Sequence, residues 1–208
     1  MSKEQNLENE ILMAAEDLFL EKGFAGTSTT DIARRVGCNQ ALVHYYFRTK
    51  ENLFLQVFNG KVETILTTLQ KPLLEQGAEF TDKLRSTIGA YFDFLTANSR
   101  LPFFVINELL CNKERLQSAY KYFMQNTSHN NVFGMIDSVV QAEVRKGTIR
   151  PIETVDFVLN IVSLTVFNFV VLPIYTDLSG STEAEKTKFI NNRKEEVIRL
   201  VINGMRNL

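Results

Sequence analysis

Apolar residues recur at every third or fourth position along nearly the whole of this 208-residue chain, and no stretch alternates apolar and polar residues with the period of two that a strand needs. That pattern dictates an all-α fold. Leu7, Ile11, Ala14 and Leu18 set the repeat, and comparable runs follow as far as Met205. Only 10 glycines and 4 prolines interrupt it, too few for an architecture of many tight turns. With 45 % hydrophobic and 23 % charged residues, the chain carries enough apolar material for a core, which argues against wholesale disorder.

Local punctuation divides the helices. The first spans about Leu7–Lys22 and ends at Gly23, which can adopt the left-handed conformation, with Phe24 as its apolar return contact. Ser28 and Asp31 have capping-box spacing and open a short helix whose inner side is Ile32, Ala33 and Val36. Gly37 stops it. Asn39 caps another short helix, Gln40–Phe47, and Thr49 caps a long one from Lys50 to about Lys71, before Pro72. Further helices are predicted over about Thr81–Asn98, Pro102–Cys111, Glu114–Lys146, Glu153–Leu172 and Glu183–Met205. Pro102 suits a first helical turn, and Pro151 and Pro173 bracket the apolar segment. The domain boundary falls inside the long helix after Lys50, giving residues 1–55 and 56–208.

Several function classes lose ground on composition alone. Cys38 and Cys111 are the only cysteines, with neither metal-ligand spacing nor a disulfide framework, and they fit a reducing cytoplasm. No metal site and no cofactor motif is expected. Met1–Glu10 lacks a basic stretch leading into an apolar one, so no secretory signal is read. Val155–Leu172 is apolar enough to weigh as a membrane span, but Asp156, Asn160, Ser163 and Asn168 interrupt it. A buried helix is the better reading. The chain has two histidines and no HExxH, phosphate-binding loop, dinucleotide fingerprint or nucleophile elbow, so nothing points to an enzyme. An all-α enzyme assembled from distant residues, or a protein-interaction adaptor, stays as the alternative.

The segment with the most information is about 28–47. Two short helices joined by Gly37-Cys38 are a helix-turn-helix candidate, in which the second helix enters the major groove of DNA. Val43, Tyr46 and Phe47 form an inward stripe, which leaves Gln40, Ala41, Leu42, His44 and Tyr45 outward. Glutamine can pair bidentately with adenine, small apolar groups can touch thymine methyls, and Tyr and His tips reach phosphates. Lys50 starts a helix, where free N–H groups favour a phosphate. Ser28–Lys50 holds four basic residues (Arg34, Arg35, Arg48, Lys50) against one acid, Asp31, a local +3. Residues 1–55 as a whole hold six basic against eight acidic residues, so the basic footprint is one face. A plain helical hairpin with a glycine turn has the same spacing.

The stretch Thr27-Ser28-Thr29-Thr30-Asp31-Ile32-Ala33-Arg34-Arg35-Val36-Gly37 resembles the first motif helix and turn of the TetR family. Asn39-Gln40-Ala41-Leu42-Val43-His44-Tyr45-Tyr46-Phe47-Arg48-Thr49-Lys50-Glu51-Asn52-Leu53 resembles its recognition helix and the start of its fourth helix. Ala14-Ala15-Glu16-Asp17-Leu18-Phe19 with Gly23-Phe24 matches its first. Cys38, Leu42 and His44 depart from the family's usual Val, Thr and Tyr. The resemblance implies a homodimeric transcriptional regulator, usually a repressor, released from a palindromic operator by a small molecule. It implies DNA contacts at Thr30, Gln40, Ala41, Leu42, His44, Tyr45 and Lys50, and a ligand-binding and dimerisation bundle behind the three-helix head.

Nine of the 22 aromatic residues lie between Tyr91 and Phe133. With neighbouring polar groups they suit a cavity for a largely apolar or aromatic ligand, the candidates being Phe92, Phe103, Phe104, Asn107, Glu108, Tyr120, Phe123 and Phe133, with Phe167 from the apolar helix. A well-filled core explains the same aromatics, and a solvated position the same Glu108. His129 reads as a surface residue in a polar run. The helices at about 153–172 and 183–205 are the expected dimer seam, with Asn160 and Asn168 needing partners there, against the alternative of a purely internal core helix.

Overall fold

The computed structural model describes residues 3–107, 112–126 and 132–206, with side chains placed for 5–107, 112–121 and 132–206. Ten α-helices appear among them: α1 (Lys3–Lys22), α2 (Thr29–Val36), α3 (Gln40–Phe47), α4 (Lys50–Leu73), α5 (Phe80–Ala97), α6 (Leu101–Val105), α7 (Lys113–Asn126), α8 (Val132–Lys146), α9 (Thr154–Ser179) and α10 (Glu183–Met205). No strand occurs among the described residues. The fold is all-α, a helix-turn-helix head with a helical domain after it, as the periodicity predicts. Two compact units emerge, one of Met1–Glu63 with Phe104–Thr127, the other of Thr64–Phe103 with Ser128–Leu208. The chain passes from the first to the second within α4.

The first unit forms around Ile11, Ala15, Leu18 and Phe19 of α1, Ile32 of α2, Val43 and Phe47 of α3, and Leu53 and Phe54 of α4, all buried. Its helix ends follow from local chemistry. Gly23 takes φ 71°, and Phe24 folds back so that its ring stacks on Phe19 and meets Phe54 edge-on, centroids 5.9 and 5.3 Å apart. Ser28 and Asp31 make the reciprocal capping box. At Gly37 (φ 77°) the Gly37 amide donates to Arg34 and the Cys38 amide to Ala33, the paired bonds of a Schellman turn. That turn sets the angle at which α3 leaves α2.

The second unit is built on α5, α9 and α10. Rings of α5 meet rings of α9 at Phe80–Phe157 and Phe92–Phe169, 6.3 and 5.8 Å between centroids. Ile190, Val197, Ile198, Val201 and Met205 of α10 close the core. Burial there pushes the Tyr91 hydroxyl up to about 12.

Three expectations need correcting here. The segment Glu114–Lys146 carries two helices, α7 and α8, instead of one; the intervening 127–131, with His129, lie outside the described residues. Its polar run Gln125–Asn131 offers no apolar residue at helical spacing. Residues 108–111, including Cys111, expected to prolong α6, also lie outside the described residues. Pro72 falls inside the last turn of α4. Pro173 does not end α9: the helix runs on to Gly180 (φ 62°) because Thr176 is buried and Tyr175 stacks on Phe189 of α10, centroids 5.0 Å apart. By length and composition α9 could cross a membrane, yet Phe157, Ile161 and Phe169 are buried in the core of this unit.

Candidate nucleic-acid interface

Both ends of α3 are fixed by side chain or backbone. The Asn39 side chain accepts from the Ala41 amide at 2.9 Å. At the other end Arg48 adopts φ 63° and ψ −52°, and the Thr49 amide donates to the Phe47 carbonyl at 2.7 Å. This is a γ-turn of the positive-φ form, which is rare and strained. Arg48 is the one non-glycine residue with positive φ among those described. Thr49 then accepts from the Asn52 amide and starts α4.

Between these ends α3 turns Val43 and Phe47 inward against α2 and leaves Gln40, Ala41, Leu42, His44 and Tyr45 exposed. Tyr45 is 65 % exposed, and its ring packs edge-on against Tyr46. Thr30 is exposed at the start of α2, beside Gln40. Thr30 and the five residues predicted from the sequence to point outward on α3 are therefore all exposed.

Three of them are tied together. The Thr30 hydroxyl donates to Gln40 Oε1 at 3.1 Å, and Gln40 Nε2 donates to the Thr29 hydroxyl at 3.0 Å. Gln40 Nε2 also lies 3.4 Å from His44 Nε2, and His44 Nδ1 lies 3.2 Å from the Arg48 carbonyl.

Lys50 is placed differently from the expectation of a free phosphate contact. Its ammonium donates to the carbonyls of Phe24 and Thr27, both at 2.9 Å, and lies 4.1 Å from the centre of the Phe24 ring. The reason is the Gly23 turn, which aims two carbonyls at the first turn of α4. An ammonium has three donors, so one is left over. The local positive charge is also partly matched. Arg34 pairs with Asp31 and Arg35 with Glu21, each at 3.3 Å and exposed. Such pairs are worth about 0–1 kcal/mol, so phosphates can displace the acids.

One residue without any signal in the sequence completes the head. Arg115 of α7 lies 3.9 Å from the centre of the Phe24 ring and 5.3 Å from that of Phe54, and pairs with Glu51 at 3.8 Å. Phe104 packs in the same unit against Phe54, centroids 5.7 Å apart. Only the tertiary fold brings these residues to the head.

The ligand-pocket candidates are divided between the two units. Phe92 is buried in the core of the second unit, and Phe104 belongs to the aromatic group just described. Phe103, Asn107, Tyr120, Phe133 and Phe167 are exposed. Glu108 lies outside the described residues, as does the Phe123 side chain. Asn168 finds its partner within the chain: its carbonyl accepts from Arg193 of α10 at 2.9 Å, while Asn160 is exposed. The exposed apolar residues of α9 are Val155, Leu159, Phe167, Ile174, Tyr175 and Leu178, whereas the outer face of α10 is mostly polar apart from Leu200.

Residues 11–57 match the family of bacterial regulatory proteins described as the tetR family, and residues 81–201 match the tetracyclin repressor-like C-terminal domain. Two curated relatives share short stretches. The transcriptional activator FasR of Mycolicibacterium smegmatis is 25 % identical over 91 residues, 44 % of this chain and 41 % of FasR. The transcriptional regulator QacR of Staphylococcus aureus is 39 % identical over 54 residues, 26 % of this chain and 29 % of QacR. The chain thus spans less than half the length of either. Across whole chains, the crystal structure of a regulator FadR from Bacillus subtilis in complex with stearoyl-CoA superposes with TM-score 0.73 at 17 % identity, covering 95 % of this chain and 99 % of that one.

Proposed function

The chain belongs to the TetR family of bacterial regulatory proteins, a DNA-binding transcriptional regulator, and from that premise we propose that it is a repressor held on a palindromic operator as a homodimer. The observation that carries the proposal is the outward face of α3, where Gln40, Ala41, Leu42, His44 and Tyr45 stand exposed while Val43 and Phe47 anchor the helix from behind. Residues 1–55 supply the head that reads DNA, and 56–208 supply ligand binding and dimerisation. Tyr45 meets the backbone, Thr30 holds Gln40 from the start of α2, Gln40, Ala41 and Leu42 face base edges, His44 supports them, and the remaining donor of Lys50 reaches a phosphate. Two recognition helices must then sit about 34–36 Å apart, or a multiple of it.

The dimer forms through the helices at about 153–172 and 183–205. The exposed apolar residues of α9, from Val155 and Leu159 to Phe167, Ile174 and Leu178, support this, since apolar side chains left in water favour docking. The effector is a small, largely apolar molecule acting in the cytoplasm; the stearoyl-CoA bound by FadR makes an acyl-CoA the first probe. Selection from random duplex DNA with purified protein tests the core of the proposal, and a palindrome is the expected product. A reporter under that palindrome then reads the sign of regulation: repression is expected, while activation, as the name of FasR records for that relative, overturns the repressor assignment. Linkage requires that an effector which weakens operator binding be itself bound more weakly by the operator complex, by the same factor.

A further inference from the structure

The hydrogen bonds around Gln40 fix which of its amide groups can face a base. The relay begins at the strained Arg48 turn. A backbone carbonyl can only accept, so the His44 Nδ1 that lies 3.2 Å from the Arg48 oxygen carries the proton. In the neutral ring that leaves His44 Nε2 with a bare lone pair. The atom of Gln40 beside it, at 3.4 Å, must then be the NH2 and not the oxygen, because two acceptors would repel. The hydroxyls of Thr29 and Thr30 could have suited either orientation. His44 decides it.

With the orientation fixed, both N–H groups of Gln40 are spent, one on Thr29 at 3.0 Å and one on His44. Its oxygen accepts from Thr30 at 3.1 Å and has a second lone pair. This second lone pair is what the exposed amide can offer without breaking a bond to its own chain.

We infer that Gln40, oriented by His44 and Thr29, presents an acceptor and no donor to the major groove, and so reads amino against keto bases at one position of each half-site. Adenine N6 and cytosine N4 donate there, whereas guanine O6 and thymine O4 only accept. The position accepts A·T and C·G and rejects T·A and G·C, which differs from the bidentate adenine contact that glutamine makes when its amide is free. His44 and Thr29 are positioning residues in this scheme. The inference rests on the reading of α3 as the helix that meets base edges.

The test is site selection from random duplex DNA by the wild-type protein and by Gln40→Ala, Gln40→Glu and His44→Leu, with circular dichroism to check folding. The position flattened by Gln40→Ala is the one Gln40 reads. There the wild type takes adenine and cytosine alike, over guanine and thymine by roughly three- to tenfold, the worth of a single hydrogen bond. Gln40→Glu keeps acceptors and loses donors; it retains the amino preference with lower overall affinity. His44→Leu frees an N–H, and the preference narrows toward adenine. A wild-type position that takes adenine alone, or a keto base, overturns the inference while leaving the regulator intact. So does a Gln40→Glu profile as flat as that of Gln40→Ala. Recovery of no motif at all overturns the DNA-reading function, and this inference with it.

Discussion

Lys50 donates to the carbonyl of Phe24 at 2.9 Å and lies 4.1 Å over the ring of the same residue. One side chain thus closes the corner between α1 and α2 onto α4. Removing it strands two carbonyls, and bonds from a charged donor are each worth about 1.5–3 kcal/mol. Lys50→Ala is expected to cost about 2 kcal/mol or more of stability in chemical denaturation. A variant that loses DNA affinity but denatures like the wild type would return Lys50 to a pure phosphate contact.

The γ-turn at Arg48 stores strain that glycine would not. Positive φ costs a side-chain-bearing residue about 1–3 kcal/mol, and the extra chain entropy of glycine offsets about 0.5–1 of it. Arg48→Gly is therefore expected to stabilise the protein by about 1 kcal/mol. Base preference is expected to hold, since the carbonyl that orients His44 belongs to the backbone. Thermal denaturation and site selection together check both halves.

The capping box of α2 carries a pH signature. The Ser28 hydroxyl, its largest cause, holds the Asp31 carboxyl below its ordinary range. A depressed acid adds stability above its unfolded value and loses it as the pH falls through the folded one. Ser28→Ala, expected to cost about 1 kcal/mol at neutral pH, is expected to lose only part of that gap as the pH falls below about 4, since the bond from the Asp31 amide to the hydroxyl does not titrate. A gap that stays constant into acid would show that the cap acts without Asp31.

Tyr45 offers a contact without base information. Its ring is exposed and packs edge-on against Tyr46. Tyr45→Ala is expected to weaken binding to operator and to random DNA by the same factor, because backbone contacts position without specifying. Titration of both duplexes at one salt concentration measures this. A loss confined to the operator would give Tyr45 a base to read.

On α9, Leu159 and Phe167 are 56 % and 66 % exposed. Replacing both by glutamate puts two charges on the proposed dimer face and is expected to give monomers in sedimentation equilibrium, with helix content unchanged. Dimers that persist would move the interface elsewhere.

The head was legible because its punctuation is local. Ser28 with Asp31, Gly37 and Asn39 each satisfy backbone groups within a few residues, so α2 and α3 begin and end where their sequence says. The outward face of α3 follows from that register. Features that depend on distant partners were not legible. Pro173 has every local reason to stop α9, and only Phe189 and the core around Thr176 carry the helix past it. Lys50 looks like any lysine at a helix start until Gly23 turns two carbonyls toward it. The aromatics of the bundle failed for a related reason: a helix such as α9 is apolar on several faces, so periodicity could not tell that Phe169 is buried and Phe167 is not.

Phe104 and Arg115 belong to the unit that contains the helix-turn-helix, although α5 separates them from it in sequence. Anyone grafting this operator-reading part onto another regulator by a single crossover in α4 would transplant Phe24 and Phe54 without the ring and guanidinium that cover them. A working chimaera has to carry Phe104–Thr127 along as well, and natural recombination that swaps operator preference in chains of this build faces the same demand.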